Sequence, residues 1–177
     1  MGQYYKFIIL ADNKKNNKEV ILLVINPRDY DNGSKLMEHS YINTNIMNTV
    51  EMLISPDGDF HKSRIVWAGD YADEDESMNL YHLAENYSSY TTYNNNINNI
   101  NINYIVNHTK KLYVDKTKIE NEIHPLPLLI AEGNSRGGGD YHGNNENLCG
   151  SWTRDVISIE NEIPDNYEEL VCDFYEY

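Results

Sequence analysis

Gly58-Asp59-Phe60-His61-Lys62-Ser63-Arg64-Ile65 and Gly150-Ser151-Trp152-Thr153-Arg154-Asp155-Val156-Ile157 carry glycine, aromatic, base and apolar residue in one register, so the chain reads as holding one unit twice. Three weaker matches keep the same order. Ile8-Ile9-Leu10-Ala11-Asp12 before Lys14-Lys15 answers Tyr104-Ile105-Val106-Asn107-His108 before Lys110-Lys111. Ile25-Asn26-Pro27 answers Ile123-His124-Pro125, and Lys35-Leu36-Met37-Glu38 answers Leu129-Ile130-Ala131-Glu132. Offsets run from 92 to 98 residues, which small insertions absorb. Two copies of a supersecondary unit pack about a pseudo-twofold axis and complete one core. The expected fold class is therefore α+β, a single domain of two pseudo-symmetric half-units, each a β-hairpin with a later strand. Half-unit A spans 3–87, an Asn-rich linker 88–102, half-unit B 103–160 and an acidic C-terminal segment 161–177.

Working outward, 3–11 and 19–26 are runs of β-branched and aromatic residues that predict a hairpin with a loose polar loop. A turn region follows at 27–34, with Asp31-Asn32-Gly33 at its tip. Ile46, Met47, Val50, Leu53 and Ile54 recur at three and four, predicting a helix over 44–54 that Ser55-Pro56 stops. Residues 64–68 read as a central strand, and Leu80, Leu83, Ala84 and Tyr87 as the stripe of a helix over 77–87, capped by Asp73 or Glu76. In the second copy, strands are expected at 103–107 and 111–115, a buried strand or short apolar segment at 126–131, and the closing strand within 150–159. Where the first copy has its helix, the second has a glycine-rich loop.

The 177 residues carry a formal charge of −14, which repels a phosphate backbone and argues against nucleic acid as a partner. Acid concentrates at 70–76 and 160–176, where a solvated face is the ordinary reading. Cys149 and Cys172 lack CxxC or zinc-finger spacing, which predicts two free thiols and no metal centre. The N-terminus shows no signal-peptide pattern and the longest apolar run, 20–25, is too short to cross a bilayer, so the expectation is a soluble cytoplasmic protein without membrane contact.

Local composition points to chemistry at the loop 132–143. Arg136, Gly137, Gly138, Gly139, Asp140 and His142 bring together backbone N–H groups that cradle an anion, a guanidinium that pairs with it and an imidazole that titrates near neutrality. The pattern is neither a P-loop nor a GxGxxG fingerprint, and a flexible surface loop is the competing reading. A second candidate is the strand end at Trp67, Asp70 and Asp73, where aromatics beside acids suit a sugar or a cationic ligand, against the commoner reading of a turn with a core aromatic. Glu38 and Glu132, equivalent in the repeat, would form an acid and base pair if they met at the pseudo-axis, against each serving its own turn. Phe60 and Trp152 read as core, and His61, His82, His108 and His124, scattered singly, as structural or exposed.

With Met1-Gly2-Gln3-Tyr4-Tyr5-Lys6, Gly33 to Ser40, Ile65 to Asp73 and Arg136 to Tyr141 taken together, the chain resembles a family of small microbial and viral proteins that open with MGQYY and carry GDY and GGGD segments. The likeness covers nearly the whole chain apart from the Asn-rich linker. It implies that the glycine-rich loop and the GDY segment belong to a family pattern, and it brings no activity or cofactor. The leading expectation is a binding module that meets an unknown small molecule or protein partner through the loop 132–143 and the strand end 67–73. The rivals are a small hydrolase of phosphate-containing or acylated molecules, with His142 as acid or base and Asp140 orienting it, and a structural or packaging component.

Overall fold

Residues 3–12, 18–73, 78–91, 103–134 and 138–177 are described by the computed structural model. Strand β1 (Tyr5–Leu10) is buried along its whole length and forms a hairpin with β2 (Ile21–Ile25). After two short helical turns, Pro27–Tyr30 and α1 (Leu36–His39), helix α2 (Asn45–Ile54) leads to the central strand β3 (Ser63–Gly69). Thr44 caps α2 by accepting the Met47 N–H, and Ser55 ends it, as the periodicity predicted. The next helix is shorter than its apolar stripe suggested: α3 (Leu80–Leu83) runs into a 3-10 turn, Ala84–Asn86. Its cap is Asn79, which accepts from His82 N–H. Glu76, one of the two caps expected from the sequence, lies outside the described residues, as does the Asn-rich stretch from 92 to 102.

The second half opens with the hairpin of β4 (Tyr104–Asn107) and β5 (Leu112–Asp115). The apolar stretch after it is helix α4 (Pro125–Leu129) and not a strand. Pro125 stands at the helix start, where its fixed φ suits the first turn and its missing N–H costs nothing, and His124 Nδ1 accepts the Leu126 N–H. Strands β6 (Ala131–Glu132), β7 (Val156–Glu160) and β8 (Glu168–Glu169) complete the eight-stranded sheet; the expected closing strand begins only at Val156, after a turn. The sheet order is β2-β1-β3-β7-β4-β5-β8, with β6 pairing β3.

That order is the same in each half, read outward from the centre: β3-β1-β2 and β7-β4-β5. The register identifies the axis. Antiparallel β3 and β7 pair Arg64 with Val156, the two residues related by the offset of 92, so the pseudo-twofold passes between equivalent positions. Lys62 and Arg154, also equivalent, both take left-handed φ, 58° and 63°. Strand pairing then corrects the outer matches. Ile65 faces Ile9 and Ile157 faces Asn107, so β1 maps on β4 with an offset of 98, two residues from the sequence match at Ile8. Ile25 maps on Val114 through the hairpins and not on Ile123.

Each half also ends in a short parallel strap on its outer strand. Tyr90 N–H donates to Val24 O at 2.7 Å, and Leu170 N–H donates to the equivalent Tyr113 O at 2.8 Å. Ser89 Oγ further accepts the Asn26 N–H. Residues 88–91, read from the sequence as the start of a linker, thus pair with β2. The acidic tail is likewise more than a solvated face, because Cys172 and Phe174 are buried in the main core.

One sheet face carries that main core, where Phe7, Trp67, Ile105, Ile157 and Ile159 pack with residues of α2, α4 and Trp152. Phe60 is half-buried against the same cluster. On the opposite face the first half alone forms an apolar cluster, in which Ile8, Leu10, Val66 and Ala68 lie under Leu80 and Ala84. Burying one such aliphatic side chain contributes about 1.5–3 kcal/mol.

Candidate functional site

Strand β3 carries the first group of sequence candidates to one end of the sheet. Trp67 is fully buried there and donates its indole N–H to His39 Nε2 at 2.8 Å. His39 Nδ1–H donates in turn to Gly33 O at 3.0 Å, which fixes the neutral tautomer. Burial pushes the His39 imidazole down to about 4, against the pull of the Gly33 carbonyl, Asp140 and Glu38. Asp70 is tied twice to Tyr4, the residue before β1, its side-chain Oδ1 accepting Tyr4 N–H at 3.0 Å and its own N–H donating to Tyr4 O. Asn79 Nδ2 donates to Asp70 O and Ala72 O. This pinned backbone presents Tyr4 and Tyr71, 41% and 45% exposed. Arg28 lies over the Tyr4 ring and Lys6 over the Tyr81 ring, 4.2 Å from its centroid. Burial lowers the Lys6 ammonium, with Glu85 opposing.

The described part of the glycine-rich loop is stitched into the fold. Asp140 Oδ1 accepts Met37 N–H at the start of α1, and Tyr141 is buried against Phe174, with its hydroxyl on Asn144 O and Tyr175 O. Gly139 has φ +60°, and a Cβ there would lie 2.8 Å from the Tyr5 ring. His142 is exposed and stands 3.7 Å from Glu146, while Asp140 is engaged at α1. Gly138, Gly139, Tyr141, Glu146 and Cys149 line a half-open dent with an internal volume of about 10 Å³. That is room for roughly one water molecule and not for a small-molecule ligand. Arg136 and Gly137 lie outside the described residues.

Glu38 and Glu132 do not form a carboxyl pair. Glu38 Oε2 accepts Lys35 N–H, whereas Glu132 takes two 2.7 Å bonds from Arg154. Arg154 also reaches Glu19, which receives Arg64 in a two-bond grip. Two guanidinium groups and two carboxylates therefore alternate near the pseudo-axis. Their mutual neutralisation accounts for the pairing, and each glutamate serves its own partner.

A constellation absent from the sequence reading stands on the second face of half-unit B. Val66 and Ala68 of the first half map on Ser158 and Glu160, and Leu10 maps on His108. These three positions, apolar under α3, are polar here, while Ile8 maps on the apolar Val106. In the first half, 19 residues separate β3 from its strap and hold α3, while 7 separate β7 from β8, which leaves no room for an equivalent helix. His108 Nε2 lies 2.6 Å from Ser158 Oγ, Ser158 Oγ donates to Glu160 Oε1 at 2.7 Å, and His61 Nε2 lies 2.5 Å from the same oxygen. Tyr167, from the tail, closes the chain 3.0 Å from His108 Nδ1.

Because a carboxylate only accepts, the serine proton serves Glu160, and His108 Nε2–H donates to the serine. Tyr167 O–H then donates to Nδ1. Burial, Lys62 and His61 hold the His108 imidazole below its ordinary value against Glu160. Ser158 is buried and its proton points away from the imidazole, so the arrangement lacks an accessible activated nucleophile. It joins the turn before β3, β4, β7 and the tail through side chains alone. One signal was legible: Ser158 and Glu160 alternate on one face of a strand whose other face is Ile157 and Ile159. Among the described residues no group of His, Cys, Asp and Glu is arranged to hold a metal ion, and no helix is long and apolar enough to cross a membrane. Comparison with protein-family models, curated proteins and solved structures gave no match.

Proposed function

We propose that the protein is a binding module acting inside the cell, and that its recognition surface is the tyrosine-bearing strand end at Tyr4, Asp70, Tyr71 and Tyr81. The observation that carries this reading is the pairing of exposed aromatic rings with a backbone held by Asp70 and Asn79. Rigid tyrosines supply contact area and a hydroxyl at small entropic cost, which is why they dominate interface hot spots. Arg28, exposed over the Tyr4 ring, adds a polar contact for orientation, while the buried Lys6 holds the Tyr81 ring in place. Exposed tyrosines on a held backbone suit a protein partner, for which such rings supply contact area and hydrogen bonds.

The test is quantitative affinity capture from cell extract with three forms of the protein: wild type, Tyr4→Ser/Tyr71→Ser and Tyr87→Ser. Tyr87 is 46% exposed and lies outside the proposed surface. The expected result is at least one partner held by wild type and Tyr87→Ser and weakened about tenfold or more by the double variant, a change of about 1.4 kcal/mol. Equal capture by all three forms overturns the reading.

A further inference from the structure

Asn32-Gly33 is the one Asn-Gly step in the sequence, and the fold leaves both of its reacting groups unheld. Asn32 Oδ1 is buried without a hydrogen-bond partner. The described backbone bonds of this turn run from Asp29, Asp31 and Asn32 N–H and skip Gly33 N–H. Asn26, Asn79, Asn107, Asn121 and Asn144, by contrast, each make a side-chain bond, and none of the asparagines besides Asn32 is followed by glycine. Glycine also fits the packing here, because a Cβ at position 33 would lie 2.7 Å from Glu38 Cβ. The packing thus retains the least hindered backbone nitrogen next to a free side-chain amide.

We propose that Asn32 is a spontaneous modification site at which the chain converts to aspartate and isoaspartate. The Gly33 nitrogen loses its proton to hydroxide and attacks Asn32 Cγ. The new N–Cγ bond closes a five-membered succinimide as the Cγ–Nδ2 bond breaks and the amide nitrogen, taking a proton back from water, leaves as ammonia and regenerates hydroxide. Ring closure within one residue draws on the advantage of an intramolecular nucleophile. Water then opens either imide carbonyl, giving aspartate or, with the backbone rerouted through Cγ, isoaspartate. No oxidant or cofactor enters the balance.

The site is coupled to the core. Gly33 O accepts His39 Nδ1–H, and His39 Nε2 accepts the indole N–H of Trp67. Isoaspartate inserts one carbon into the backbone directly before Gly33 and adds a carboxylate, so it displaces the acceptor that sets the His39 tautomer. Modification at a half-buried turn is thereby read out at a buried tryptophan in the central strand of the sheet. A carboxyl-methylating enzyme that recognises isoaspartyl peptides is the class of partner that would act on the product.

Intact folded protein, the Asn32→Gln variant and a free peptide spanning residues 30–36 are incubated at mildly alkaline pH in heavy-oxygen water and mapped by mass spectrometry. The expected outcome is label at residue 32 at a rate within about tenfold of the peptide, or about 1.4 kcal/mol of barrier, and above that of every other asparagine. The aged wild-type fraction should show a shifted Trp67 indole N–H resonance, which Asn32→Gln does not develop. Labelling at residue 32 about a hundredfold slower than the peptide, or no faster than at the bonded asparagines, overturns the proposal. An unshifted indole resonance in fully converted protein overturns the coupling to the core.

Discussion

Buried imidazoles set how the protein responds to acid, and His39 shows the sign. Its folded value, about 4, lies below the ordinary 6.5, so the folded state prefers the neutral ring. The stability this contributes is fully present above pH 6.5 and is lost as pH falls through 4, up to roughly 3 kcal/mol for a shift of this size. The urea midpoint is therefore expected to fall from pH 6.5 to 4. His39→Gln should flatten that part of the profile while lowering stability at pH 7, because Trp67 and Gly33 lose a fitted partner. Glycine gives a second residue-scale test. Gly139→Ala should cost about 1–3 kcal/mol in denaturant unfolding, since it combines a left-handed φ with contact on the Tyr5 ring. Trp67 illustrates what composition hides. An aromatic beside Asp70 reads as a ligand platform, but in the fold the ring is buried and the exposed rings belong to Tyr4 and Tyr71. Sequence shows that tyrosines are near the strand end without showing which of them the sheet turns outward.

At the scale of elements, hydrophobic period was the readable signal and chain topology the unreadable one. The spacing of Ile46, Met47, Val50, Leu53 and Ile54 identified α2, because one buried face fixes the period. The 126–131 stretch is apolar on all sides, so period could not separate strand from helix, and the proline at the helix start decided the outcome. Among the side-chain contacts, Glu51 joins α2 to the second half: its Oε1 binds His124 Nε2 at 2.7 Å and Lys116 Nζ at 2.5 Å. Glu51→Ala should destabilise by about 3–5 kcal/mol, since it strands two polar partners, one of them fully buried, and calorimetry would read the loss. The polar chain ending at Tyr167 makes a local prediction. Tyr167→Phe should speed hydrogen exchange at the Glu168 and Leu170 amides about fivefold, the equivalent of a ~1 kcal/mol bond, and leave the Tyr90 amide unchanged.

For the whole molecule, the duplicated segment ending in Ile65 and Ile157 was legible because it forms the centre of the sheet, where equivalent residues face each other and tolerate little drift. The polar second face was not, because its meaning comes from the missing helix between β7 and β8 and from a register two residues away from the sequence match. The main core draws on both halves, with Trp67 in one and Trp152 in the other, so neither half is a separate cooperative unit. Single-tryptophan variants Trp67→Phe and Trp152→Phe should each unfold with coincident fluorescence and circular-dichroism midpoints; separated midpoints would reveal independent halves. The paired straps bear on how the chain behaves among its own copies. A long sheet invites edge-to-edge polymerisation through the open backbone of its outermost strands, and here the carbonyls of Val24 and Tyr113 are already occupied by Tyr90 and Leu170. Truncation before Leu170 would free the Tyr113 carbonyl at one edge of the sheet, so loss of the tail is expected to raise self-association, which light scattering would read.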